Sequence, residues 1–390
     1  MQALTESGAG TEARPVPRSP RRLHESWILD HLRRRGRASR AELVAATGLS
    51  RATVSALTGE LLAQGKVVVT EPATATGPGR TPQALALNPA AGLVLGLDFG
   101  HSRVGVVAAD AAHAIIGSAT RPYPRSTPWE TRCAIAVRLA RTVLAGGAPR
   151  LAAVGIGIAG SISGRPAVVE AIRDAFTDAF GVPVRTDNNA RLAGLAESVW
   201  GAARGVPDAL YVRLSSGVGG TVILDGRVHR GRGGAAGEFG HVCIDPTGPL
   251  CRCSNRGCLE CYVGVEAVLA EAGGTTLAEL GAALDRGDRD AAAVVAKAGQ
   301  RIGLVLAGAG NVLDVPHVVL GGDLTVLGEH LVRPVRQTLA RHLHANPDAT
   351  VGLAELGDLD GALGGVALVL HDPSIPFTGP LAPRHLTGTA

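Results

Sequence analysis

The chain has 390 residues, is 46% hydrophobic but only 3% aromatic, and carries a formal net charge of +4 at pH 7. That length suggests two or three domains, with cores built mostly of Ala, Val and Leu. No apolar run reaches the roughly 18–20 residues of a membrane span, and no apolar stretch of a secretory signal opens the chain. Membrane partners are therefore excluded and a cytoplasmic setting is expected.

The charge is unevenly spread. Residues 1–90 hold 12 Lys/Arg against 7 Asp/Glu, whereas residues 91–390 hold 26 against 27. A basic amino-terminal segment on a near-neutral body points to a nucleic-acid-binding module joined to something else.

Residues 1–20 are rich in Gly, Pro, Arg and Thr without apolar periodicity, and read as a disordered tail. Helical spacing runs from Leu23 through Trp27, Ile28 and Leu32 to a stop at Gly36. Ser39-Arg40-Ala41-Glu42 is a capping box that opens a short helix ending at Gly48. Ser50 then caps a third helix with Val54, Leu57, Leu61 and Leu62 on its inner stripe. Two short helices joined by a tight glycine turn form a helix-turn-helix. Val67–Val69 and Ala84–Leu87 read as a hairpin whose tip, Gly77–Pro82, makes a wing, giving a winged domain over 21–88. In such a domain the start of the third helix enters the major groove. Ser50, Arg51, Thr53 and Ser55 are its expected DNA contacts, with Arg80 at the wing tip placed for the minor groove. Arg51 either reads a guanine edge or holds a phosphate. Gly59, mid-helix, weakens the recognition helix by about 1 kcal/mol relative to Ala.

From Gly92 to residue 372 buried strands alternate with Ala/Leu-rich helices, the pattern of an α/β body. Strands are expected at Leu93–Asp98, Val104–Ala108, Ala153–Ile158, Val182–Thr186, Ala209–Leu214, Thr221–Leu224 and His317–Leu320. Helices are expected over Thr131–Ala145, Arg173–Phe180, the stretch from Asp187 to Trp200, onward from Arg301, and near Leu363–Leu370. The glycine turn Ser215–Gly220 between two strands suggests a phosphate cradle. Gly155–Gly160 satisfies G-x-G-x-x-G, but its first two glycines alternate with apolar residues inside a strand, so dinucleotide binding is rejected. Residues 373–390 read as a flexible tail.

Gly237–Glu260, GEFGHVCIDPTGPLCRCSNRGCLE, places His241 ten residues before a C-x-C-x4-C run of Cys251, Cys253 and Cys258. One imidazole and three thiolates fill a tetrahedral Zn2+ shell with no open position, so a structural zinc is expected. A reducing compartment favours metal over disulfides. Glu238 and Glu260 flank this clip and suit a polyol ligand.

These features resemble the ROK family of sugar-responsive repressors and sugar kinases, over about residues 22–370. The most specific part is Gly217–Glu260, where the Gly-rich turn, the run Gly233–His241 and the cysteine clip stand in family order. Only Ser254 departs there, where the family usually has Gly. The resemblance implies an α/β, actin-like two-lobed ATPase-type (ribonuclease H-like) body behind an all-α winged helix-turn-helix domain of the repressor branch. It implies that Asp187 falls on the catalytic base, and that Asp187, Glu238, His241 and Glu260 bind sugar hydroxyls. Asp98 and Gly100 fall on the first phosphate motif, and Gly217, Gly219 and Gly220 on the second.

Several departures erode the nucleotide side. His101-Ser102-Arg103 replaces a Gly-Thr-Lys type sequence, Ser215-Ser216 replaces Gly-Thr, and Thr186 replaces Asn; the segment between Gly160 and Val182 is short. Phosphoryl transfer depends on positioning and on neutralising phosphate charge. The expectation is a non-enzymatic repressor of carbohydrate genes, with ATP not used and Asp187 vestigial. Its partners are operator DNA and a sugar effector, and it works as a dimer or tetramer. The alternatives are an ATP-dependent sugar kinase with an appended DNA-binding domain, and a DNA-bound scaffold with a dead body.

Overall fold

The computed structural model describes residues 20–70, 83–145, 150–160, 162, 164–274, 276–344, 349–372 and 374–375. All but the last residue of the amino-terminal tail, the wing tip with Arg80 and all but two residues of the carboxy-terminal tail lie outside the described residues. Those up to Ala91 form one unit and those from Gly92 a second.

In the first unit, helix α1 (Pro20–Arg35) is followed by strand β1 (Arg37–Ser39), α2 (Arg40–Thr47), α3 (Arg51–Ala63), β2 (Val67–Thr70) and β3 (Ala84–Leu87). Strand β3 lies between β1 and β2, antiparallel to both. β1 is too short to show in the residue pattern. Both halves of the capping box form: the Glu42 amide donates to Ser39 Oγ at 3.2 Å, and the Ser39 amide to Glu42 Oε2 at 2.6 Å. Gly48 closes α2 at φ +68°, a left-handed cap that glycine adopts without strain. Ile28, Leu32, Leu43, Val54, Leu57 and Leu61 make the core, as the spacing predicts, while Trp27 sits partly in water.

The second unit opens with β4 (Leu93–Phe99), β5 (Arg103–Asp110), β6 (Ile115–Pro122), α4 (Trp129–Leu144), β7 (Leu151–Ile158), α5 (Pro166–Phe180), β8 (Val184–Asn188) and α6 (Asn189–Trp200). The pattern then repeats with β9 (Ala209–Leu214), β10 (Val218–Leu224) and β11 (Arg227–His229). Helices α7 (Glu260–Val263), α8 (Val265–Glu271), α9 (Leu277–Asp285) and α10 (Arg289–Leu313) precede β12 (His317–Gly321), α11 (Glu329–His342), β13 (Thr350–Leu353) and α12 (Asp360–Leu370). The two sheets run β6-β5-β4-β7-β8 and β11-β10-β9-β12-β13. In each, an antiparallel three-strand meander leads to two parallel strands, so one topology occurs twice.

Strand β6 is unexpected because its residues are mostly exposed and lack clean alternation. Gly219 and Gly220 correct the expected cradle: they lie inside β10, opposite Arg213 and Val212, so the turn is only Ser215–Gly217. Helix α10 begins twelve residues before the expected Arg301. Among the described residues, α10 alone is long and apolar enough to cross a membrane, but Val295, Ala298, Ile302 and Leu306 are buried in the second lobe's core.

Helices α4 and α5 cover one face of the first sheet. On its other face α12 lies almost backbone to backbone: a methyl on Gly155 or Gly96 would overlap the Gly365 or Ala362 carbonyl. Gly155 and Gly157 are strand residues packed against helices, not a dinucleotide turn.

Candidate effector cleft, metal centre and nucleic-acid face

On α3, Ser50 is the N-cap and its Oγ accepts from the Thr53 amide at 3.1 Å. Its hydroxyl also lies 2.9 Å from Thr53 Oγ1, so these two side chains first stabilise the helix start. Arg51 and Ser55 are exposed and Thr53 is half-buried. Gly59 is exposed, with open space where a Cβ would stand.

The cysteine clip closes on itself. The ligand atoms of His241, Cys251, Cys253 and Cys258 all lie within 4.8 Å of one another. Cys251 Sγ is 3.6 Å from His241 Nδ1, and Cys253 Sγ is 3.6 Å from Cys258 Sγ. Ligands at zinc–sulfur bond length in a tetrahedron stand about 3.8 Å apart, so the donor set fits that ion. Ser254 has φ +73° in the turn between Cys253 and Cys258. Glycine would adopt that left-handed conformation without strain. Cys243 and Cys261 stay outside the cluster, and burial pushes the Cys133 thiol up to about 11.

His241 Nδ1 faces the cysteines, while its Nε2 faces Glu238 Oε2 at 3.9 Å. Both residues border two adjoining hollows, of about 570 and 320 Å3. Asn188 and Cys253 complete the shared wall. The larger hollow extends to Gly217 and Gly219 and to His101, Trp129, Arg132 and Arg165.

Asp187 and Glu260 do not open onto either hollow; each is already occupied. Asp187 Oδ2 accepts from Arg230 Nε and Nη2 at 3.0 and 2.9 Å. Its Oδ1 accepts from the Asn188 amide at 2.8 Å and from Arg191. Glu260 is held by Arg252 Nε at 2.6 Å and accepts from the Val218 amide at 2.8 Å.

On the phosphate side, where Arg213 also borders the larger hollow, the charged groups pair with one another. Arg213, on β9 of the second sheet, points at Asp98 Oδ2 (Nη2 3.3 Å) on β4 of the first. It also reaches Asp360 Oδ1 at 3.5 Å, while Tyr211 donates to Asp360 Oδ2 at 2.9 Å and Asn189 to Asp98 Oδ1 at 2.9 Å. Burial opposes the Arg213 charge, but Asp360 and Asp98 outweigh it and hold the guanidinium above its ordinary pKa. Burial dominates for Asp360, whose carboxyl is raised. Gly100 is likewise engaged, its amide donating to the Arg103 carbonyl and its carbonyl accepting from Tyr123.

Sequence reasoning missed these arginines, although signals existed. Arg191 stands one helical turn after Asp187, the spacing of an ion pair. Arg213 is a lone charge in an apolar strand, which has to be paired once buried.

The family model for ROK proteins matches residues 94–372, and that of the IclR helix-turn-helix domain matches residues 27–70. A xylose repressor of Bacillus subtilis is 28% identical over 260 residues, covering 64% of this chain and 67% of that protein. A solved ROK family transcriptional regulator, a homolog of E. coli Mlc, superposes with a TM-score of 0.75 at 21% identity, covering 90% of this chain and 97% of that one. A ROK family glucokinase from Streptomyces griseus, solved with glucose and AMPPNP, gives a TM-score of 0.63 at 26% identity over 71% of this chain and 99% of that one. Relatives thus include both repressors and kinases.

Proposed function

We propose, for a chain that belongs to the ROK family, a transcriptional repressor of carbohydrate genes whose body senses a sugar and transfers no phosphate. The observation that carries this reading is the asymmetry of the cleft. Glu238 and His241 open onto it, whereas Asp187 and Asp98 are taken up by arginines.

Two atoms 3.9 Å apart, His241 Nε2 and Glu238 Oε2, suit one hydroxyl that accepts from the imidazole and donates to the carboxylate. Asn188 borders the same wall but is already engaged, its Nδ2 donating to the Gly160 carbonyl and its Oδ1 accepting from the Arg191 amide. A base must reach the proton that it abstracts, and Asp187 has both oxygens committed to donors. We read the His/Cys cluster as a structural zinc site: the metal would be held by His241, Cys251, Cys253 and Cys258, orienting His241 toward the cleft. The exposed start of α3, with Arg51 and Ser55, is the proposed DNA face, and a symmetric oligomer in the cytoplasm would read paired half-sites about one helical turn apart.

The test couples the two ligands. A gel shift on the DNA upstream of the chain's own gene should retard that DNA, and the effector should release it. Linkage requires operator DNA to weaken effector binding by the same factor. Effector affinity unchanged by saturating operator would refute the mechanism.

A kinase reading draws on the retained Asp187 and on the glucokinase likeness. ATP-dependent phosphorylation of an aldose, abolished by Asp187→Asn, would establish it. The reading above expects no turnover.

A further inference from the structure

The clip holds more thiols than a four-coordinate metal uses. Its two chain segments run antiparallel, and Cys243 stands directly opposite Cys258 in an isolated β-bridge. The Ile244 amide donates to the Gly257 carbonyl at 2.8 Å, and the Leu259 amide to the Val242 carbonyl at 2.9 Å. Those bonds flank the two cysteines and make them a non-hydrogen-bonded pair. In such a pair opposite Cα atoms stand about 4.5 Å apart and the side chains leave the ladder on one face. A disulfide needs Cα atoms about 4.4–6.8 Å apart, so the backbone already holds Cys243 and Cys258 at bridging distance.

The two thiols differ in their surroundings. Cys258 is buried, its Sγ 3.6 Å from that of Cys253 within the His/Cys donor set. Cys243 and Cys253 are the exposed cysteines of the clip, and Cys253 belongs to that set. Cys243 is therefore the accessible thiol that a bound metal would leave unliganded, and it faces a buried metal ligand across the bridge.

We propose that Cys243 and Cys258 form a redox modification site, where a hydroperoxide oxidises the pair to a disulfide and removes a ligand from the metal clip. The Cys243 thiolate attacks the terminal peroxide oxygen: an S–O bond forms, the O–O bond breaks, and the leaving alkoxide or hydroxide takes up the thiol's proton. The Cys258 thiolate then attacks the sulfenic sulfur, closing the S–S bond and expelling hydroxide, which the second thiol proton converts to water. The two thiols lose two electrons and the peroxide gains them. Only a thiolate ligates the metal, so the donor set falls to His241, Cys251 and Cys253. His241 Nδ1 then loses its anchor, and Nε2 is no longer fixed beside Glu238 on the cleft wall. This inference rests on the zinc reading of the clip and adds a means of undoing it.

The full chain, purified reduced, would be treated with hydrogen peroxide while a chromogenic chelator reads released zinc, then alkylated and digested with trypsin. Cleavage after Arg232, Arg252, Arg256 and Arg286 puts Cys243 and Cys251 on one peptide, Cys253 on a second, and Cys258 and Cys261 on a third. Peroxide should release the zinc and link the first peptide to the third, with fragmentation placing the bond at Cys243–Cys258. A dithiol reductant with added zinc should restore the starting state. Cys243→Ser, an exposed change outside the donor set, should carry zinc as the wild type does and keep it under peroxide, with no linked peptide. Zinc retained by the wild type under peroxide, a bond that uses Cys251, Cys253 or Cys261, or zinc loss undiminished in Cys243→Ser overturns the inference and leaves the zinc reading standing. A Cys243→Ser protein that arrives without zinc also overturns it, since Cys243 is then a ligand. Reduced wild type without zinc overturns both.

Discussion

The substitution Arg213→Met tests whether the charges on the cleft's nucleotide side form a buried ion network. Arg213 is 12% exposed at its side chain, Asp98 5% and Asp360 4%. Removing the cation leaves two buried carboxylates without their counter-ion. Breaking a buried pair from one side costs about 3–5 kcal/mol, and at about 2 °C per kcal/mol for a unit of this size the body should melt about 6–10 °C lower. The sign of the pH dependence follows. The Asp360 carboxyl is already raised by burial, with Arg213 as the main opposing charge, so without Arg213 it rises further above its unfolded value near 3.9. The variant's stability is then present at low pH and lost as pH rises through that raised value. The deficit should be larger at pH 7 than at pH 5 in urea melts. Adding Asp98→Asn and Asp360→Asn to the Arg213→Met variant should recover much of it. A loss below about 1 kcal/mol, the range of an exposed pair, would refute a buried network.

Purified protein should carry about one zinc per chain, and Cys251→Ser or Cys258→Ser should release it and destabilise the body, because a structural metal's binding energy is folding energy; metal analysis and melting check both. Gly59→Ala should stabilise the first unit by about 1 kcal/mol, since a methyl there meets open space; hydrogen exchange of α3 amides should slow, and unchanged or faster exchange would contradict it. His101 has a lowered pKa from burial and then from Arg252, Arg125 and Arg132, against Glu266. Its stabilising contribution is complete above the unfolded value near 6.5 and is lost as pH falls through the lower folded value. His101→Asn should therefore flatten the acid side of the stability profile below about pH 6.5, and an unchanged slope would count against a buried His101 flanked by arginines.

The elements that show in the sequence are those with a local cause. The capping box at Ser39–Glu42 and the apolar stripe of α3 depend on residues a few positions apart. The cysteine clip does so as well, since Cys251, Cys253 and Cys258 fall within eight residues. What stays hidden is set by distant partners. Asp187 and Glu260 look like open sugar ligands until Arg230 and Arg252 are brought onto them. Gly219 and Gly220 look like a phosphate turn because glycine signals both turns and close packing. Here Gly220 stands in a strand where a methyl would meet Phe239.

Helix α12 has a mechanical consequence. It lies on the first sheet through Gly365 and against α6 through Gly364, with no side chains as cushion, and its first residue, Asp360, grips Arg213 of the second sheet. A rod seated this way cannot slide along the first sheet without driving backbone into backbone. Helix α6, locked to α12 at Gly364, also packs on the second sheet through Gly194, so any motion of one lobe against the other would load the α6 seam and the Asp360–Arg213 contact together.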